Sequence, residues 1–447
     1  MKRAIKIVAA SMTLVMLTAC SSLPFGGGEK KREAEKAEKA QRVPLIAFDG
    51  VLEPDPQLSE LSVLLPAAEE RADWVQTGAR ADKAAGHVAG GKEFKVAWKT
   101  NAGAGSSRKR RLVAPPVVSG GVVYILDARQ KIQAIDAITG KKRWTKQLKP
   151  MNKRDRNAVG GGIAIAGDRI IVASGYGFVA ALSISDGQEI WSKLAQAPVT
   201  GSPTIGPENV YVTSSNNEIL VMRLTDGETV WSDQAIAESA RVLSSPAPAL
   251  GADILVAPFS SGELIAYLPA NGRRLWTNSL SQGGRYTPIS AINDIAGRPV
   301  ISEGLVFAAS QSGLLAAIDE LTGTIRWSHD FGSIQTPAVA GQFVFAVNTD
   351  GQVVCLDKND GGVVWVRQLP RFKNEKKRKN RIVWTGPLIV SDQVLLASSE
   401  GDVTALSPQT GETLRDMEFG DSIYIEPIAA GELIYLLTDE GRLIAIR

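Results

Sequence analysis

The chain has 447 residues, 44% hydrophobic and 22% charged, with 43 glycines; that length exceeds one ordinary compact domain, so several domains or one repeat architecture is expected. Its 2 His and 2 Cys exclude a His-rich metal centre, a four-cysteine zinc site and a multi-disulfide scaffold. The formal charge is +3, but residues 1–19 carry three of the 50 cations and none of the 47 acids, so the remainder holds 47 of each and makes no electrostatic case for nucleic acid.

In chain order, Met1 to Lys6 is a short basic stretch and Ile7 to Leu17 an apolar run too short to span a bilayer, the layout of a secretory signal over residues 1–19. It ends Leu17-Thr18-Ala19-Cys20, which resembles a bacterial lipobox. The resemblance implies a diacylglycerol on the Cys20 thiol, and several buried acyl chains anchor a protein stably. Ser21, where an Asp would retain the protein in the inner membrane, implies sorting to the outer membrane, facing the periplasm. With Cys20 acylated, Cys355 has no partner; inside the apolar run Gln352 to Asp357 it reads as a small buried hydrophobe. Residues 20–91 read as a largely disordered tether: Gly26 to Gly28, alternating charges from Glu29 to Arg42, then Pro44, Pro54, Pro56 and Pro66.

From residue 92 onward the chain repeats. Gly140, Gly187, Gly227, Gly272, Gly323 and Gly361 each precede a tryptophan by four residues (Trp144, Trp191, Trp231, Trp276, Trp327 and Trp365), and a seventh copy pairs Gly411 with Arg415. Each glycine follows Thr, Asp or Asn, the composition of a tight hairpin turn. An apolar strand precedes each turn, for example Lys131 to Asp136 or Leu314 to Asp319; another precedes that, such as Val122 to Ile125; and a Pro-containing entry segment comes first, such as Ala114 to Val118. Four short antiparallel strands about every 44 residues describe an all-β propeller blade. Seven units end at residues 144, 191, 231, 276, 327, 365 and 415; an eighth begins at Ile425 and stops after its third strand. Glu93 to Trp98 is in phase with the missing fourth strand, so the expectation is an eight-bladed propeller over residues 92–447, closed by the N-terminal strand.

The units Ala134-x-Asp136-x-x-Thr139-Gly140-x-x-x-Trp144 and Ala317-x-Asp319-x-x-Thr322-Gly323-x-x-x-Trp327 resemble the tryptophan-docking motif of pyrroloquinoline-quinone-type propellers. The resemblance implies that Trp98 and the six repeat tryptophans dock between blades. With a lipobox and compact blades, the chain most resembles the BamB family of outer-membrane β-barrel assembly lipoproteins. That resemblance implies a non-enzymatic scaffold without cofactor or metal, bound to the periplasmic POTRA domains of BamA. The family's contact stretch aligns with residues 238–246, which keeps Arg241 but has Glu238 and Ala240 in place of leucines; a second stretch keeps Asp294 and has Ala296 in place of an Asp. The expected partner contact is therefore Arg241 and Asp294, with Val242, Leu243 and Ile295 as its apolar part. Unfolded barrel clients adding a strand at a blade edge are a second partner class that the sequence leaves open.

The enzymatic alternative is a quinoprotein dehydrogenase on the same ring, with Glu426, Asn348 and Asp350 as ligand candidates, although no vicinal cysteine pair exists. His87 falls in the tether and His329 is expected on a blade connection. Three basic clusters, Arg108 to Arg111, Lys153 to Arg156 and Arg371 to Arg381, read either as solvated loops or as contacts for an acidic partner surface or anionic headgroups.

Overall fold

The computed structural model describes residues 52–58, 61–151, 157–238, 241–281 and 292–447. The signal segment, the Cys20 site, the tether up to residue 51 and the cluster from Lys153 to Arg156 lie outside the described residues.

Eight four-stranded antiparallel sheets follow one another as simple meanders. Blade 1 comprises Val117–Ser119, Val122–Leu126, Lys131–Asp136 and Lys142–Gln147. Blades 2 to 6 repeat the pattern, starting at Gly161, Thr204, Ala249, Val300 and Ala338, and blade 7 starts at Trp384. Blade 8 takes Ile428–Ala430, Leu433–Leu437 and Arg442–Ile446 from the C-terminus. Its outer strand is Val96–Asn101, paired antiparallel from Val96 opposite Ile446 to Asn101 opposite Arg442. The strand thus begins three residues later than the Glu93 start expected from the repeat. The third strands occupy Phe178–Ser183, Glu218–Arg223, Leu314–Asp319 and Gln352–Asp357, where the apolar runs lie.

Near-continuous apolar runs such as Val122–Leu126 and Phe343–Val347 let both faces of each inner sheet be buried between neighbouring blades, while the outer strands are covered on one side only, as in the exposed–half-buried alternation of Lys142–Gln147. The clasp between blades is the repeat tryptophan. Trp98 lies over Gly140, Trp144 over Gly187, Trp191 over Gly227, Trp231 over Gly272, Trp276 over Gly323, Trp327 over Gly361 and Trp365 over Gly411, each ring on the turn of the next blade. Six of these indoles, all but Trp144, donate Nε1–H to a backbone carbonyl just before that turn, at 2.8–3.1 Å. The turn itself is tied by the motif aspartate: Asp136 Oδ1 accepts from Thr139 N–H at 2.9 Å and from its hydroxyl at 2.8 Å, while Arg143 holds Oδ2 at 2.7 Å. These bonds keep the Asp136 carboxyl well below the usual carboxylate range, the Arg143 bond contributing most.

Arg415 breaks the series for a structural reason. The next blade has no hairpin turn between its third and fourth strands, because the fourth comes from the other end of the chain, so there is no turn glycine to receive an indole. Arg415 instead lies 5.8 Å over the Phe94 ring and donates to Lys92 O at 3.3 Å, at the point where the chain enters blade 8.

The expectation of a leash as far as residue 91 is corrected over its described part. From Glu69 to Gly91 the backbone makes a circuit around the propeller axis, bonded to the ends of the innermost strands. Trp74 and Val118 exchange both backbone bonds at 2.8 and 2.9 Å, and Val75 O accepts from Ile165 at 2.7 Å. Gln76 Oε1 accepts from Ile205 N–H at 2.9 Å. Ala81 O accepts from Leu250, Asp82 O from Ile301, Val88 pairs with Ile389 and Ser391, and Gly91 donates to Glu432 O, all at 2.8–3.0 Å. Ala84 packs against the apolar cluster of blades 5 and 6. The segment is therefore hydrogen-bonded to seven of the blades, packs on the cluster shared by blades 5 and 6, and lies across one mouth of the channel. Trp74, Thr77, Lys83, His87 and Val88 are buried in it. Small residues permit this close approach: a Cβ added at Gly91 would come within 2.3 Å of Ile434.

Candidate partner-binding face

Connections between blades run on the face opposite this plug. The link from blade 3 to blade 4 carries Arg241, Val242 and Leu243, and the link from blade 4 to blade 5 carries Asp294 and Ile295. The fold brings the two links together: Val242 N–H donates to Asp294 Oδ2 at 2.6 Å. Asp294 is only 4% exposed, and burial pushes its carboxyl up to about 6 against the opposing pull of the Val242 N–H and the Arg241 charge. Arg241 is half-buried, which lowers its own pKa, while Asp294 acts in the other direction. Among the described residues Arg241 forms no ion pair within 4.0 Å, so Asp294 binds the Arg241 link through backbone and field rather than as a salt-bridge partner.

Of the five residues expected to meet a partner, the accessible ones are Arg241, Val242 and Leu243, the last 54% exposed. Ile295 is 1% exposed and packs into the apolar cluster of blades 4 and 5. It is corrected from a contact residue to a core residue, and Asp294 to a residue that positions its neighbour. The alternation of apolar and polar side chains in a short link carries no signal of which side faces inward, so sequence could not separate them.

Val242 and Leu243 also form part of the wall of a cavity of about 340 Å³ at the open mouth of the channel. Arg298 spans this mouth to Glu426, a part-buried pair in which, among the described residues, Arg298 Nε and Glu426 Oε1 have no hydrogen-bond partner. Behind it Lys83, from the plug, is held well below its ordinary pKa by burial first and by the Arg298 charge second; its Nζ faces Gln76 Oε1 at 3.5 Å.

The ligand candidates of the enzymatic alternative do not converge. Glu426 lines the channel cavity and is taken by Arg298. Asp350 is taken by Arg371 and Arg381 at 2.8 and 2.7 Å, and Asn348 Oδ1 caps its own turn, accepting from the Asp350 and Gln352 N–H groups. His329 is not on a connection but in the outer strand Ile325–Asp330, its Nε2 2.7 Å from Gly361 O and its ring 5.6 Å from Trp327. His87 is buried, with Nδ1 2.7 Å from Pro66 O and Nε2 accepting from Asp392 N–H at 2.9 Å. Cys355 is buried and unpaired, its thiol pKa pushed up by burial.

Eight meander blades clasped by tryptophan on glycine define an eight-bladed propeller of the pyrroloquinoline-quinone type, carrying a face of inter-blade links. A family model described as outer membrane protein assembly factor BamB matches residues 87–157 and 128–367. The chain belongs to that family. Curated relatives of the same name include the Salmonella typhimurium protein, 30% identical over 355 residues that cover 78% of this chain and 88% of the relative. The Escherichia coli K12 protein is 29% identical with the same coverage. Among solved structures, BamB from Moraxella catarrhalis aligns with a TM-score of 0.62 at 18% identity, over 78% of this chain and 99% of that one. A quinohemoprotein alcohol dehydrogenase from Comamonas testosteroni aligns at 0.67 and 13% identity, over 85% of this chain and 81% of that one. Likeness at these identities shows the shared ring and nothing of its chemistry.

Proposed function

We propose that the chain is a non-catalytic scaffold of outer-membrane protein assembly, acylated with palmitate among other chains at Cys20, lying on the periplasmic side of the outer membrane and docking the POTRA domains of BamA on its inter-blade links. The observation that carries the docking reading is the link Arg241–Leu243: a half-buried guanidinium beside an exposed leucine, held in place by a buried carboxylate that spends itself on the Val242 backbone. A guanidinium in that setting offers a fork of donors to a carboxylate or to backbone carbonyls.

Arg241→Ala should weaken binding to purified POTRA domains by about 30-fold, the effect of losing a central interface arginine worth about 2 kcal/mol. The melting temperature of the variant should stay put, since a surface truncation costs the fold about 0.5 kcal/mol or less. Full binding together with a lowered melting temperature would make Arg241 an inter-blade clamp and remove the docking site. Palmitate labelling that survives Cys20→Ala would remove the anchor.

A further inference from the structure

The link from blade 6 to blade 7 contains an extra hairpin, Phe372–Asn374 paired with Lys379–Arg381. Residues 371–381 hold seven cations and one acid. Three of the cations fasten its base: Arg371 and Arg381 grip Asp350 of blade 6, and Lys373 reaches Glu400 of blade 7 at 2.7 Å. The other four, Lys376, Lys377, Arg378 and Lys379, stand exposed at the tip, and among the described residues none of them forms an ion pair within 4.0 Å. The turn keeps Arg378 at a φ of +48° and Asn380 at +58°, where glycine would be easier. Arg378 thus stands at the tip at some backbone cost.

The tip carries no exposed apolar side chain, Phe372 at the base being half-buried. Cores of protein interfaces are depleted in Lys and built on aromatic or aliphatic anchors, so a lysine-rich tip without an anchor fits a diffuse negative surface better than a folded partner. Its position adds a second argument. The chain coming from Cys20 enters the described body beside the same strand: Asp55 N–H donates to Val363 O at 2.8 Å and Leu58 lies on Gly362. Val363 opens the outer strand Val363–Gln368, and the hairpin springs from the far end of that strand, about 17 Å away at a strand's rise per residue. The segment between residue 20 and Leu52 reaches at most about 110 Å when fully extended. A surface holding residue 20 is therefore within reach of the rim on which the hairpin stands.

We propose that hairpin 371–381 contacts anionic phospholipid headgroups, an electrostatic attachment additional to the acyl anchor. It rests on the scaffold reading only for placing the chain at a membrane, and it is independent of POTRA docking. A basic side chain near an anionic surface contributes about fivefold in partitioning, so removing four should cost at least about tenfold even if only part of each contribution is realised. The test uses the chain from Ser21 onward, which bears no acyl group, floated with phosphatidylcholine vesicles with and without phosphatidylglycerol. Binding should require phosphatidylglycerol and fade at high salt as screening shortens. Lys376→Gln, Lys377→Gln, Arg378→Gln and Lys379→Gln combined should lower it at least about tenfold, with an unchanged circular dichroism melt. A control of equal charge loss elsewhere (Arg108→Gln, Lys109→Gln, Lys141→Gln and Lys142→Gln) should lower it far less. Equal binding to both vesicle types, an unaffected hairpin variant, or an equally affected control would each overturn the proposal. So would a hairpin variant that keeps vesicle binding but loses POTRA binding, which would assign the tip to an acidic protein surface.

Discussion

If the circuit from Glu69 to Gly91 is part of the fold, cutting away its largest side chain must cost as much as a core mutation. Trp74 is 2% exposed and lies in a cluster with Val118, Leu388, Val390 and Ile428, side chains of blades 1, 7 and 8. Trp74→Ala should therefore cost about 3–5 kcal/mol, the range for large aromatic truncations in a core. Unfolding entropy of about 2.1 cal/mol/K per residue gives about 0.8 kcal/mol/K for the roughly 400 residues from Leu52 onward, so the melting temperature should fall by about 4–6 °C. Trp74→Phe should cost less than its lost volume suggests, because the buried indole N–H has no acceptor and an unpaired buried donor costs about 1–3 kcal/mol. Leu64→Ala, in the preceding stretch but 71% exposed, should stay within about 0.5 kcal/mol. Scanning calorimetry of the three variants decides the matter. A Trp74→Ala melt that matches Leu64→Ala would return the segment to the status of a leash.

The propeller was legible because its signals are local and periodic. A glycine four residues before an indole fixes a turn and a docking ring, and alternating apolar runs fix the strands between them. Even the exception at Arg415 follows from chain order, since only blade 8 lacks a hairpin glycine. The plug was illegible because its contacts are non-local and mostly made by backbone. Pro54 and Pro66 read as loop, and both lie outside helix and strand; the information that residues 69–91 are bonded to seven blades and pack on the cluster shared with the eighth sits in Gly78, Gly86, Gly90 and Gly91 and a run of alanines, residues with no pattern of their own. The candidate partner face was half legible. The family resemblance points to Arg241 and Asp294, and the fold does join their links, but only the folded packing separates the exposed Leu243 from the buried Ile295.

Gly272→Ala tests the clasp: φ is +74° and the new Cβ would come within 2.5 Å of the Trp231 ring, so backbone strain of about 1–2 kcal/mol adds to overpacking of about 1–3 kcal/mol. Gly304→Ala has a φ of +81° but open space around its Cβ, so it should show the backbone cost alone, and equal urea midpoints for the two would deny the ring its role. Asp294→Asn tests the buried carboxylate through pH. The folded carboxyl titrates at about 6, whereas an unfolded Asp titrates near 3.9. The folded state therefore holds the proton more tightly, and the stability this group confers at low pH is lost as pH rises from about 4 through about 6, by roughly 3 kcal/mol for a shift of about two units. An asparagine keeps the shape and can still accept the Val242 N–H through its amide oxygen. Urea unfolding should give the variant and the parent similar stability near pH 4, with the variant gaining by up to roughly 3 kcal/mol above pH 6. A parent that is the more stable of the two at neutral pH would mean that the Arg241 charge outweighs burial, and that the two links are held by the ion pair after all.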